Sequence, residues 1–423
     1  MYDWSSKVRK SVLSSRYSDG IKPHYEKYSL PNLASTIADH FHKNSERAPA
    51  IRDEPVKGVL DNSETVVFIL LDGLGDRLVQ SLQKEEHLKS LLQTSHYAPI
   101  TTTFPSTTTT ALASVNTGLF PEQHGIIGHT MYLKKIGIIA SLISFSPVAE
   151  LQKGTLLTSG MEPRELMNGN TIYEELRDEG IVSAVLTRNA YRSSGLSRMI
   201  HSGAEIVTYN VASDMITQLR KIIEGQKHRF IFAYWDAIDI AAHVYGAGEE
   251  EVLAEVQSFL YVLETELFKK LDRKIARKTA YFMTGDHGHI TVRSSRRIIA
   301  NDYPEFVNNV QIMPAGDLRA SFIRTNDDGD AKIRKFFAGL KGKVDIISSH
   351  RAVADGLFGK GKMNKDVRET LGDYLVLSKQ DYAFIYNYRK REEMNLMGYH
   401  GGLHQDEMLV PMIFGNFGDK NPL

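Results

Sequence analysis

Val66-Val-Phe-Ile-Leu-Leu-Asp-Gly-Leu-Gly-Asp76 sets the reading of the whole chain. Its first six residues are apolar without alternation, as expected of a strand buried on both faces of a parallel sheet. An acid and a glycine turn follow at once, and a helical pattern continues through Leu78, Leu82 and Leu88. A strand that ends in an acid places it at the carboxyl edge of the sheet, where open α/β proteins bind ligands. The pattern recurs. Phe230-Ile-Phe-Ala-Tyr-Trp235 runs into Asp236-Ala-Ile-Asp239, and the strand 279–284 stops at Gly285-Asp-His-Gly-His289.

Further strands are expected at 136–145, 182–186 and 206–209, and helices at 33–42, 171–179, 214–224 and 248–270. In the last, Val252, Val256, Phe259, Leu260, Leu263 and Leu267 keep helical spacing. The alternation predicts an α/β fold, a mixed and mostly parallel central sheet between helices. Residues 301–395 depart from it, with strands at 319–324, 344–347, 374–377 and 383–386 and a helix at 331–340. The expected organisation is an N-terminal extension over 1–62 packed on the core, a catalytic domain over 63–300 and 396–423, and a small α+β cap inserted at 301–395.

Composition narrows the function. The 423 residues are 42% hydrophobic and 24% charged, ordinary for a chain with a sizeable core. Acidic and basic residues balance at 51 each, so specific nucleic-acid binding is not expected. Without any cysteine, disulfides, thiolate metal sites and a cysteine nucleophile are excluded together. The stretch 1–10 lacks the apolar core of a signal peptide, and no run is long enough to span a membrane. The expectation is a cytoplasmic protein.

The chemistry gathers around Pro99-Ile-Thr-Thr-Thr-Phe-Pro-Ser-Thr-Thr-Thr-Thr-Ala-Leu-Ala-Ser-Val-Asn-Thr-Gly118. Pro105-Ser106 before Ala111-Leu-Ala113 predicts a helix start with Ser106 as N-cap. Hydroxyls at a helix N-terminus suit an anion such as phosphate, held by free backbone N–H groups. Four other segments carry metal-type ligands: Asp72, Asp239 with His243, Asp286 with His287, and Gly398-Tyr-His-Gly-Gly-Leu-His404. Asp239 and His243 are four apart, so on one helical turn they face the same way. Together with the threonines these supply two divalent sites and a bridging hydroxyl. Imidazole and carboxylate without thiolate suit zinc, with manganese or iron as alternatives.

These pieces resemble the alkaline phosphatase superfamily, and within it the type I phosphodiesterase/nucleotide pyrophosphatase branch. The matching motifs are Leu71-Asp-Gly73, the threonine stretch with Thr117-Gly-Leu-Phe-Pro-Glu-Gln-His-Gly125, Asp239-Ile-Ala-Ala-His243, Thr284-Gly-Asp-His-Gly288 and His400-Gly-Gly. The resemblance implies one metal on Asp239, His243 and His400, with His404 in reserve, and a second on Asp72, Asp286, His287 and the nucleophile. The family's nucleophile lies ten residues before the Gly of Thr-Gly, which is Thr108 here. The local Thr-Phe-Pro match points instead to Thr103, and Thr107 is third. Where the family has a phosphate-binding asparagine this chain has His129. Arg188 and Arg192 are the nearest basic candidates for contact with substrate.

The implied function is two-metal hydrolysis of phosphodiester or pyrophosphate bonds through a phosphothreonine intermediate, on a small phosphate-ester or nucleotide substrate. A phosphomonoesterase, phosphonate hydrolase or phosphomutase would use the same site, and a metal-binding protein without turnover is the alternative from another class. A sulfatase is disfavoured by the missing cysteine.

Overall fold

Val66, Phe68 and Leu70 belong to one hydrophobic core, and Val67, Ile69 and Leu71 to another. Alternate side chains of a strand point to opposite faces, so a strand feeding two cores must be apolar throughout. Phe230–Trp235 and Thr279–Thr284 divide in the same way, Phe232 and Phe282 on one side, Ala233 and Met283 on the other. The computed structural model of the chain describes residues 2–389 and 395–419; 390–394, inside the 301–395 segment, and the end of the 396–423 segment from 420 lie outside the described residues.

The central sheet has seven strands. In spatial order they are His96–Thr101, Leu409–Asn416, Thr279–Thr284, Thr65–Leu71, Phe230–Trp235, Ser183–Arg188 and Glu205–Tyr209. The last five pair in parallel, and Leu409–Asn416 runs antiparallel to both neighbours. His96–Thr101 therefore points the same way as the parallel strands. One face is covered by Ala212–Glu224 and Glu250–Leu263, the other by Leu30–Phe41 and Thr108–Thr117. Val8, Val12, Leu30, Leu33 and Ile37 of the N-terminal segment enter the same core as the sheet.

A second sheet of seven strands lies beside the first. Its order is Val344–Ser348, Tyr374–Ser378, Ala320–Ile323, Ala315–Gly316, Thr130–Leu133, Ile138–Ser141 and Ser146–Pro147. The strand expected over 136–145 is instead a meander, turning between Leu133 and Ile138. Ile136, counted as a strand residue, is 43% exposed in that turn. Gly316 pairs with Thr130, so strands from 301–395 continue a sheet begun by 130–147. No helix among the described residues is long and apolar enough to cross a membrane.

Candidate metal and phosphoryl site

Five segments meet at the carboxyl edge of the central sheet. Asp72 ends Thr65–Leu71, Asp239 lies on Ala237–Tyr245 just after Phe230–Trp235, and Asp286 and His287 follow Thr279–Thr284. His96–Thr101 leads to Thr108, the first residue of the helix Thr108–Thr117. His400 precedes the chain's return through Leu409–Asn416. The N-cap is Thr107, one residue past the expected Ser106. Ser106 has a remote partner instead: its hydroxyl donates to Gly402 O at 2.8 Å and accepts from Gly401 N at 3.1 Å.

Two clusters form there. In the first, His287 Nε2 is 3.1 Å from Thr108 Oγ1 and 3.4 Å from both Asp72 Oδ1 and Asp286 Oδ2. Thr108 Oγ1 is 3.5 Å from Asp72 Oδ1. In the second, Asp239 Oδ1 faces His243 Nε2 at 3.3 Å, His289 Nε2 at 2.9 Å and His400 Nε2 at 3.9 Å. Four ligands roughly 2.0–2.1 Å from one ion are about 3.3 Å from each other, which is the scale of these separations.

The donor chemistry fits a cation in each cluster. Asp286 Oδ2 and Asp239 Oδ1 are buried without a hydrogen-bond partner. A buried carboxylate is costly unless it is paired or holds a metal. His243 Nδ1 lies 2.9 Å from Gly398 O, and His400 Nδ1 3.0 Å from Ser106 O. Those carbonyls put the ring proton on Nδ1 and turn the Nε2 lone pairs toward Asp239, the usual support of a ligating imidazole. Asp286 Oδ1 accepts from Gly73 N at 3.0 Å and His287 N at 2.9 Å, and the Tyr234 hydroxyl donates to Asp72.

The electrostatics show the same crowding. Burial, then Asp286 and Asp239, push the Asp72 carboxyl well above the carboxylate range. Burial, then His287, His243 and His289, push His400 far down. Burial also lowers His243 and His287. Asp239 goes the other way: burial would raise it, but His243, His289 and His400 together hold it down. A bound dication would reverse the carboxylate crowding.

Gly73 has φ +79°, and a Cβ there would stand 2.9 Å from Asp239 Cα and 2.8 Å from His289 Cε1. The glycine after Asp72 thus lets the two clusters close up. The loop bearing His400 is tied by Glu407, which accepts from Gly402 N at 2.9 Å, His404 N at 3.2 Å and Arg319 Nε at 2.8 Å. Arg319 and Glu407 are both fully buried, linking the 301–395 segment to the loop.

Of the expected residues, Asp72, Thr108, Asp239, His243, Asp286, His287 and His400 come together. His404 stands apart as the N-cap of Gln405–Met408. Thr103 is turned to Pro105 O at 3.3 Å. His129 lines a cleft of about 390 Å3 with His243, His400, Asp317, Tyr386 and Lys153. A second cleft of about 450 Å3 is lined by Asp72, Thr108, Asp239, Tyr191 and, again, Lys153. Arg188 and Arg192 line neither. Arg188 is paired with Asp236 and lies over the Trp235 ring, and Arg192 is exposed. Sequence reasoning missed His289, Asp317 and Lys153. His289 carried a signal, since it is two residues from His287, and alternate residues of an extended chain share a side.

The profile of the family described as type I phosphodiesterase/nucleotide pyrophosphatase matches residues 66–403. Ectonucleotide pyrophosphatase/phosphodiesterase family member 1 of Rattus norvegicus is 23% identical over 223 residues, 51% of this chain and 23% of its own length. The aligned part thus spans about a quarter of that relative. The fold is similar to that of murine ectonucleotide pyrophosphatase/phosphodiesterase 5, with TM-score 0.63 and 15% identity over 82% of this chain and 87% of that one. An inactive form of that murine protein has been solved in complex with AMP, with TM-score 0.64 and 14% identity over 83% and 88% of the two chains. Phosphonoacetate hydrolase from Sinorhizobium meliloti 1021, in complex with phosphonoformate, gives TM-score 0.61 and 16% identity over 84% and 90%. The profile match runs from the strand before Asp72 to beyond His400 and takes in both clusters: the chain belongs to the type I phosphodiesterase/nucleotide pyrophosphatase family.

Proposed function

We propose that the chain is a two-metal hydrolase of phosphodiester or pyrophosphate bonds with Thr108 as nucleophile. The observation that carries this is the pair of buried, unpartnered carboxylate oxygens, Asp286 Oδ2 beside the Thr108 cluster and Asp239 Oδ1 among imidazoles. Asp72, Asp286, His287 and Thr108 would hold one divalent cation, and Asp239, His243 and His400 the other; the oxygen and nitrogen donors suit zinc, with manganese or iron as alternatives. When bound, such cations neutralise charge on the phosphoryl oxygens and lower the pKa of a hydroxyl they touch.

Thr108 Oγ1 gives up its proton and attacks phosphorus, the oxygen opposite leaves with its half of the substrate and takes up a proton, and a phosphothreonine forms. Water then attacks the same phosphorus, and the threonine oxygen departs with the proton that the water loses. Thr108 is the first residue of its helix, so the first turn's free N–H groups and the helix dipole favour the phosphoryl oxygens. His129 is pushed down to about 4 by burial, with His243 adding to the effect, so it meets the substrate as a neutral hydrogen-bonding ring.

Charge favours diesters. A monoester carries one more negative charge than a diester and calls for a further fixed cation. Among the described residues the cleft beside Thr108 is lined by no guanidinium, and its ammonium, Lys153, is carried on an exposed side chain. AMP bound to the inactive murine relative supports a nucleotide as the retained half. Bis- and mono-p-nitrophenyl phosphate, compared with and without chelator, test the reading. The diester is expected to have the higher kcat/KM, with chelator removing activity and zinc restoring it. A better monoester would make the protein a phosphatase, and two bound ions without turnover of either ester would leave it a binding protein.

A further inference from the structure

We infer that His289 is a direct ligand of the cation held by Asp239, His243 and His400, giving that ion three imidazoles and a carboxylate. This rests on the two-cation reading above. The imidazole is 2% exposed, and neither ring nitrogen has a hydrogen-bond partner although Nε2 is 2.9 Å from Asp239 Oδ1. A neutral imidazole offers one donor and one acceptor, and leaving both unmet in the interior is unfavourable.

An ordinary His289–Asp239 hydrogen bond does not account for the surroundings. The carbonyls on His243 Nδ1 and His400 Nδ1 aim two lone pairs at the Asp239 oxygen that His289 also faces. Lone pairs gathered on a carboxylate oxygen repel unless a cation lies among them. The His289 ring is placed symmetrically among its neighbours, with centroids 5.2 Å from His243, 5.1 Å from His287 and 5.2 Å from His400.

The backbone explains why the ring is there. Ile290 pairs with Tyr399 and Thr291 with Gly398 in a short antiparallel ribbon. Extending that register by one residue sets His289 opposite His400, as cross-strand neighbours. Gly288 fixes the step from His287, because a Cβ there would stand 2.1 Å from Asp406 O. Gly73 leaves the space for the ring itself. His289 also lines a cavity of about 440 Å3 with Ser81, Thr291 and His404.

With His289 as a fourth protein ligand, Asp239, His243, His289 and His400 would fill the tetrahedral count of a zinc-like ion, so that contact with substrate would need a further position. The full chain loaded with Co2+ tests the assignment, by chelator competition and visible absorption. His289→Phe and His289→Gln are expected to keep one tight site, weaken the other more than roughly 100-fold, beyond the effect of losing an outer partner, and change the cobalt spectrum. Asp239→Asn is the reference. If it still binds two ions as tightly as the unaltered chain, the two-cation reading itself fails. If it loses one while both His289 variants match the unaltered chain in affinity and spectrum, His289 is a packing residue and the inference is wrong. Histidine-15N NMR of the unaltered chain needs no variant to fold. Zinc is expected to shift four imidazole Nε2 resonances into the metal-bound range, and three with His289 unmoved would overturn the assignment.

Discussion

Thr103 and Thr108 were both open to the role of nucleophile in the sequence, and their surroundings separate them. Thr103 is fully buried with its hydroxyl toward Pro105 O, whereas Thr108 Oγ1 lies between His287 and Asp72. Thr108→Ala should therefore lower kcat by roughly a thousandfold or more. Thr103→Ala should keep most of the activity and its zinc content, and Thr108→Ala is compared with zinc saturating because Thr108 is itself a proposed ligand. Steady-state kinetics with metal analysis checks this, and the reverse ranking would move the nucleophile to Thr103. Legibility at this scale follows the range of the contact. Asp72, Asp239 and Asp286 could be found because each stands at or just past the end of an apolar run. The helix cap falls on Thr107, one position past Ser106, because the Ser106 hydroxyl serves Gly401 and Gly402, nearly three hundred residues away. Arg188 has the composition of a phosphate ligand, but its partner Asp236 is known only once two strands are side by side.

Periodicity was most reliable for elements buried on two faces, and it failed where the sheet is open. A meander and a single strand share the same apolar residues until the turn is seen, and Gly137 at φ +68° is what makes the turn. Because Gly316 pairs with Thr130, removing 301–395 would strip a neighbour from that strand and expose an edge. Point changes in the shared cleft are cleaner. Tyr386 is half-buried on the 301–395 side of the cleft that reaches His243 and His400. If that wall stacks on the base of a nucleotide, Tyr386→Ala should raise KM for nucleotide p-nitrophenyl esters by roughly 10-fold, within the usual worth of one base–aromatic contact. KM for methyl p-nitrophenyl phosphate, kcat and zinc affinity should barely change. Equal losses on both esters would make Tyr386 a structural residue of the wall.

At the scale of the molecule, one sheet edge gathers carboxylates and imidazoles from residues 72 to 400, and the core that holds the edge together also holds neutral histidines. His124 is the clearest. Burial pushes it down to about 3, and its ring is used twice: Nδ1 accepts from Ile126 N at 3.0 Å, and Nε2 lies 2.9 Å from Ser114 Oγ. Protonation would set an N–H against the Ile126 N–H. The folded-state pKa is below the unfolded value of about 6.5, so the unfolded chain takes up the proton first as pH falls. The stabilisation is complete above about pH 6.5 and is lost progressively toward pH 3, at about 1.4 kcal/mol per pH unit. Asp317 has the opposite sign, since burial pushes it up to about 7, and it becomes less favourable as pH rises. The two overlap in pH, so a single stability profile would confound them. His124→Gln separates them, because its amide can accept from Ile126 and donate to Ser114 without titrating, while Asp317 and every other group are common to both proteins and cancel. Denaturant unfolding at pH 7 and pH 5, with zinc saturating, is the measurement. The unaltered chain should lose about 2 kcal/mol more than His124→Gln between the two pH values. Equal losses in the two proteins would mean that His124 finds a way to hold its proton in the folded core.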